Sequence, residues 1–183
     1  MHACGHDGHM AMVLGAAAEL AESGGYDGSL HALFQPAEEP GHGAQAMIDD
    51  GLFDRLRIDA IYGMHNLPGL PLGHLHTGPG VIMASEDNFA IYFVGRGGHA
   101  ARPQTVVDPI VIGSEIVLAL QSITSRNVDP LTPAVVSCTN FETDRARNAI
   151  PDNVRITGDT RSMDPATQAL LQWRIRQLVE GHC

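Results

Sequence analysis

Residues 88–94 read Asn-Phe-Ala-Ile-Tyr-Phe-Val, and their alternation decides how the second half of the chain folds. Phe89, Ile91 and Phe93 fall on one side of an extended backbone and Asn88, Ala90 and Tyr92 on the other, the period-two pattern of a half-buried strand. Downstream, residues 108–125 place Ile112, Ile116, Leu120 and Ile123 three or four apart, which predicts a helix with one apolar face. Residues 133–141 and 153–161 read as two further strands. Residues 165–179 read as a closing helix with Pro165 in its first turn, where a missing N–H costs nothing. The order β-α-β-β-α is that of a ferredoxin-like sandwich lacking its last strand.

Upstream the pattern changes. Met10, Val13, Leu14, Ala17 and Ala21 sit at helical spacing, predicting a buried helix over residues 8–23 that stops at Gly24-Gly25. Residues 29–35 and 60–65 read as short strands with a helix over 43–50 between them. That is a βαβ unit, and hence a parallel sheet. Residues 72–77 and 81–84 are strand-like and separated by Gly78-Pro79-Gly80. We therefore expect an α/β chain of two parts: a partial parallel or mixed sheet domain over residues 1–84, and an incomplete ferredoxin-like lid over 85–183. The first part opens in a His/Cys-rich loop with no strand leading into it, and the second closes on a helix without its partner strand. Both ends suggest a piece of a longer protein.

Composition narrows the function. The chain has 183 residues, with 11 basic residues (all Arg) against 21 acidic ones, a formal net charge of −10. A nucleic-acid binder presents a basic face to phosphates, and a membrane-surface protein a polybasic patch; neither fits here. Hydrophobic residues at 44% allow a core. The apolar run after Met10 has no basic residue before it and is too short to span a bilayer, so it is neither a signal peptide nor a membrane anchor. Three cysteines form no disulfide framework, which points to a reducing, cytoplasmic compartment.

Four stretches carry chemistry. In His2-Ala3-Cys4-Gly5-His6-Asp7-Gly8-His9, thiolate and imidazole groups are crowded within a few residues, and both are strong ligands for zinc-like ions. Cys4 and His6 are two apart, so an extended loop would point them the same way; His2 and His9 read as surface or helix-start residues. In Gln35-Pro36-Ala37-Glu38-Glu39-Pro40-Gly41, two carboxylates follow a predicted strand end. Extended backbone would turn them to opposite sides, one to bind a metal and the other to face an activated water. His65, in Gly63-Met64-His65-Asn66, ends the second predicted strand. Open α/β sheets build their sites at such strand ends. Gly95-Arg96-Gly97-Gly98-His99 is glycine-rich but is not GxGxxG, and neither a Walker lysine nor a GxSxG elbow occurs. His99, flanked by glycine, could donate to a developing oxyanion or do nothing.

Taken in order, MHACGHDGH, FQPAEEPGHGA, GMHNLP, GGHAARP and NAIPDNV resemble the M20 metallopeptidases from Met1 to about Leu178, with the N-acyl-amino-acid and hippurate hydrolase branch nearest. The resemblance implies a zinc-peptidase-like catalytic domain interrupted by a lid that dimerises. It implies two divalent metal ions, zinc or manganese foremost, with cobalt or nickel as alternatives. Cys4, His6, Glu39 and His65 then correspond to metal ligands, Glu38 to the general base and His99 to the lid histidine that polarises the scissile carbonyl. Asn148 and Arg161 correspond to residues that hold the substrate, a small N-acyl amino acid. Gly158-Asp159-Thr160-Arg161 stands where the family pattern has Gly-Thr-x-Arg, and the family's final His ligand has no counterpart here. Little activity is therefore expected of the chain alone. Two alternatives are a non-catalytic dimerisation module and a dipeptide exopeptidase. The CGHD loop disfavours the second, because the peptidase branch bridges its metals with an Asp.

Overall fold

The computed structural model describes residues 4–144 and 146–182 and divides the chain into two compact units, Met1–Leu75 and His76–Cys183. The second unit is built on β1 (Ser85–Val94), α4 (Pro109–Arg126), β3 (Ala134–Thr143), β5 (Asn153–Ser162) and α5 (Pro165–His182). Two short strands, β2 (Gly98–His99) and β4 (Ala149–Ile150), pair with each other. The long strands form an antiparallel sheet in the order β1-β5-β3. That order follows from the β-α-β-β-α reading: the crossover through α4 leaves a gap between β1 and β3, and β5 fills it. β5 is buried on alternate residues from Val154 to Ser162, so its register is set by which face meets the helices. The register on β3 shifts at a bulge between Cys138 and Asn140. Cys138 itself is only half-buried, and its desolvation pushes the thiol pKa up.

One core holds this unit together. Ile116, Leu120 and Ile123 of α4 have no exposed surface, and Ile156 of β5 and Leu171 of α5 pack into the same cluster. Each such side chain removed from water contributes about 1.5–3 kcal/mol before entropy is counted. The start of α4 is fixed by Asp108, whose Oδ1 accepts from the Ile110 N–H at 2.9 Å, with Pro109 next in line. β1 begins three residues before the predicted strand, and α5 runs three residues past the predicted end.

Residues 1–84, expected to form the sheet domain, depart from expectation, and the division between the units falls at Leu75 rather than at residue 84. The helices of the first unit are α1 (His6–Ser23), α2 (Gly43–Asp49) and the short α3 (Leu52–Arg55). The strands expected over 29–35, 60–65, 72–77 and 81–84 do not form ladders; among the described residues, no strand precedes β1. The segments stay extended and wet: Leu30, Phe34 and Ile61 are about half exposed and Tyr62 is 92% exposed. A parallel strand is stable only with hydrogen-bonded neighbours and helices covering its faces, and 29–35 and 60–65 do not pair with each other. α1 is helical as predicted but not buried, since Met10, Val13 and Leu14 have no sheet to lie against. Among the described residues of this unit only Gly43 is buried. Among the described residues, no helix is long and apolar enough to cross a membrane.

Candidate metal centre

Three stretches distant in sequence meet in the first unit. Gly5 lies in the left-handed region at φ 73° and turns the chain into α1, which leaves Cys4 before the turn and His6 on the first helical residue. A side chain on Gly5 would also strike Asn66, because an added Cβ would fall 2.0 Å from its Nδ2. Cys4 Sγ lies 3.4 Å from His65 Nε2. The His65 Nδ1–H donates to the Asn66 carbonyl at 2.6 Å, and in a neutral ring the nitrogen turned toward the thiol, Nε2, then carries the lone pair.

The acidic stretch comes in on the other side of His6. Its Nε2 is 3.3 Å from Glu38 Oε2 and 3.6 Å from Glu39 Oε1. Both carboxylates therefore address one imidazole, against the expectation that they would point apart. The reason is local: residues 37–41 form a turn rather than a strand end. Ala37 takes a positive φ of 45°, strained for a residue with a Cβ, and the Gly41 N–H closes on the Glu38 carbonyl at 2.8 Å. The His42 and Gly43 N–H groups both reach the Ala37 carbonyl, tying the turn to the start of α2.

The result is two overlapping triads, Cys4–His6–His65 and His6–Glu38–Glu39, each with its donor atoms within 4.8 Å of one another. One thiolate, two imidazoles and two carboxylates form a mixed sulfur, nitrogen and oxygen set. Such a set suits zinc, cobalt, nickel or manganese, whereas magnesium and calcium prefer oxygen alone. The residues present fit a divalent ion; His6 is common to both triads and, with one free nitrogen in a neutral ring, would bind a single ion. His9, read from sequence as peripheral, is drawn in as well: its ring centroid is 4.3 Å from that of His65 and 5.2 Å from that of His6. Position alone gave no signal for this. His9 is one turn after His6 on α1, on the same helix face, and that periodicity is the only clue the sequence held. His2 lies outside the described residues.

The remaining candidates belong to the second unit. His99 pairs with Ala149 across the β2–β4 ladder, and the Ala100 N–H bonds the Asn148 carbonyl at 3.0 Å, so His99 and Asn148 are neighbours on an exposed edge. The Ala101 N–H donates to His99 Nδ1 at 3.1 Å. In a neutral ring this places the proton on Nε2 and makes that atom the donor. The glycines before His99 serve packing: a Cβ on Gly97 would lie 2.4 Å from the Ile150 carbonyl oxygen, and the Gly97 N–H is held by Asp152 Oδ1. Arg161 stands on β5, with Nε 2.8 Å from Asp159 Oδ2 and Nη2 3.0 Å from Glu86 Oε2. The hydrogen bond that Arg161 donates to Asp159, with the negative charges of Asp159 and Glu86, raises its pKa against a smaller opposing effect of burial. Asp159 Oδ1 is buried without a partner.

Fold and site together define a mixed α/β protein with a candidate metal centre carried on loops and on the start of α1. The sequence matches the model of peptidase family M20/M25/M40 over residues 1–178, and the chain belongs to that family of hydrolases. It is 45% identical to a hippurate hydrolase of Campylobacter jejuni over 181 residues, covering 99% of this chain and 47% of that one. It is 42% identical to an N-acetyldiaminopimelate deacetylase of Brevibacillus brevis, covering 99% and 48%. Among solved structures it resembles a Bacillus subtilis protein described as a dinuclear metal-binding peptidase of the M20 family. There the TM-score is 0.71 and the identity 33%, over 100% of this chain and 45% of the other. The chain spans about half the length of the curated relatives it matches.

Proposed function

We propose that this chain carries the metal-binding part of an amidohydrolase that cleaves the amide bond of N-acyl or N-aminoacyl amino acids. The observation that carries this reading is the convergence of Cys4, His6, Glu38, Glu39 and His65 from three separate stretches. The names of the relatives, a hippurate hydrolase and a deacetylase, support the substrate class. Cys4, His6, Glu39 and His65 would hold two divalent ions, zinc or manganese foremost. Bound there, the ions supply Lewis acidity toward the carbonyl and make a water acidic enough to attack at neutral pH. Glu38 takes the proton of the attacking water and delivers it to the leaving amine nitrogen. The His99 Nε2–H donates to the carbonyl oxygen as charge develops on it. Asn148 and Arg161 hold the substrate; Arg161 reaches an anionic group by sharing a guanidinium already bonded to Glu86 and Asp159.

The second unit pairs with a second copy through an edge of its sheet, where β1 and β3 have no strand beyond them among the described residues. The sparse cysteines and a thiol among the candidate donors support a reducing, cytoplasmic compartment.

Metal content after exhaustive dialysis tests the centre. One or two zinc or manganese ions per chain, lost in Cys4→Ala and His6→Ala, is the expected result. Equal metal in wild type and both variants would overturn it. The chain alone should turn over little acyl amino acid, because it spans about half of those relatives. Hydrolysis well above a Glu38→Ala control would overturn that part.

A further inference from the structure

His65 and His6 are held from outside the donor set by two residues that no role has yet claimed. Asn66 meets His65, His9 and Gly5. Its carbonyl takes the His65 Nδ1–H. Its own N–H points to His9 Nε2 at 3.1 Å, and its side-chain Oδ1 lies 2.9 Å from the same nitrogen. Its amide also packs on the bare Cα of Gly5, between Cys4 and His6. His9 in turn sits on α1 and presents its ring to those of His6 and His65.

We infer that His9 and Asn66 are a positioning pair for the metal centre: they lock α1, with His6, onto the loop that carries His65, and neither is itself a ligand. The inference rests on the metal-centre reading above. Two contacts converge on His9 Nε2, so whichever tautomer is present, that nitrogen is committed to Asn66, and His9 belongs to neither donor triad. The centre gains what partners beyond the ligands usually provide, fixed ring orientation and a fixed distance between donors. Loss of such a partner costs about 10–100-fold in metal affinity. Exposure makes the pair more important, because Glu38 and Glu39 are 52% and 70% exposed and the first unit has almost no core to fix its loops.

The test is a cobalt(II) titration of the full chain, followed by the thiolate-to-cobalt charge-transfer band of Cys4 and by affinity in competition with a chelator. His9→Ala and Asn66→Ala should each weaken binding about 10–100-fold and shift or broaden the band, with the helical circular dichroism unchanged. His9→Gln keeps a polar atom within reach of Asn66 and should recover most of the affinity. A purely structural loss of the ring would not be rescued in this way. The double variant should lose no more than either single one, as for two residues acting through one contact. If wild type binds cobalt and both alanine variants bind it as tightly, the pair does not position the centre and this inference alone falls. If His9→Gln loses the band as completely as Cys4→Ala, His9 is a ligand and the inference is again overturned. If wild type binds no cobalt, the metal-centre reading falls and takes the pair with it.

Discussion

Gly43→Ala should destroy the acidic side of the centre although Gly43 contacts no donor. Gly43 starts α2 and is buried beneath the turn that carries Glu38 and Glu39. A Cβ placed on it would lie 1.4 Å from the Pro36 carbonyl oxygen and 2.6 Å from its carbon. Side-chain carbons do not approach backbone closer than about 3 Å, so the turn and the helix must separate by about 1.6 Å. Metal–ligand distances are held to about 0.2 Å. Even if α2 absorbs half the movement, the remaining shift of about 0.8 Å is several times what a bound ion tolerates. The two hydrogen bonds to the Ala37 carbonyl, from His42 and Gly43, are lost in the same movement.

The measurement is zinc affinity by competition with a chromogenic chelator, in wild type, Gly43→Ala and Gly8→Ala. The last is the control, since nothing lies within 4 Å of a Cβ at Gly8 and it sits inside α1. Helix propensity predicts that Gly8→Ala is neutral or more stable by up to about 1 kcal/mol. Gly43→Ala should lose at least about tenfold in affinity, comparable to removing a partner that orients a ligand. Its second unit should unfold as in wild type, because the core there includes nothing from residues 1–75. Wild-type affinity in Gly43→Ala would refute the argument that this turn is held by backbone contact at Gly43.

Two further outcomes concern the second unit. Leu120→Ala removes a side chain with no exposed surface and should cost about 2–5 kcal/mol in urea unfolding of that unit, with metal binding unchanged. Asp164 precedes α5, and its pKa is lowered, first by the Thr167 hydroxyl and then by the Thr167 N–H, which its Oδ1 accepts at 2.8 Å. A carboxylate with a depressed folded-state pKa adds stability above the ordinary aspartate value and loses it as pH falls through the folded value. Thermal melting should therefore fall on the acid side, and Asp164→Asn should flatten that limb; an unchanged acid limb would refute it.

The two units were not equally legible in the sequence. In the second, period-two alternation at Phe89, Ile91 and Phe93 and helical spacing at Ile116, Leu120 and Ile123 each found a partner within the chain, and the elements appear where the pattern placed them. In the first, residues 29–35 and 60–65 carry strand-like composition, yet pattern alone cannot supply the neighbour a parallel strand must bond to. The candidate cluster, though not its role, was legible through residue types: thiol, imidazole and carboxylate crowd into short stretches, and the fold collects them. Two parts were not legible. The turn at Ala37, which brings Glu38 and Glu39 to one side, depends on a positive φ that nothing in an alanine announces. The role of Asn66 depends on contacts to Gly5 and His9 across more than fifty residues of chain.

The contrast between the units also says what a bound ion would do for the first one. The second unit buries a continuous cluster from Ile91 to Ile175 and is cohesive through apolar contact. The first buries only Gly43 among its described residues, so apolar contact does not explain why residues 4–9, 35–43 and 63–66 meet. What joins them is polar: Cys4 with His65, His6 with two carboxylates, His9 with Asn66. Exposed contacts of this kind contribute about 0–1 kcal/mol each, too little to order three loops. An ion bridging the same donors contributes far more, and where a site forms only on folding, its binding free energy is also folding free energy. On the proposed reading the cluster is therefore both the reactive centre and the structural core of the first unit. Substitutions at Cys4 or His6 should then be judged by what they do to folding as well as to hydrolysis.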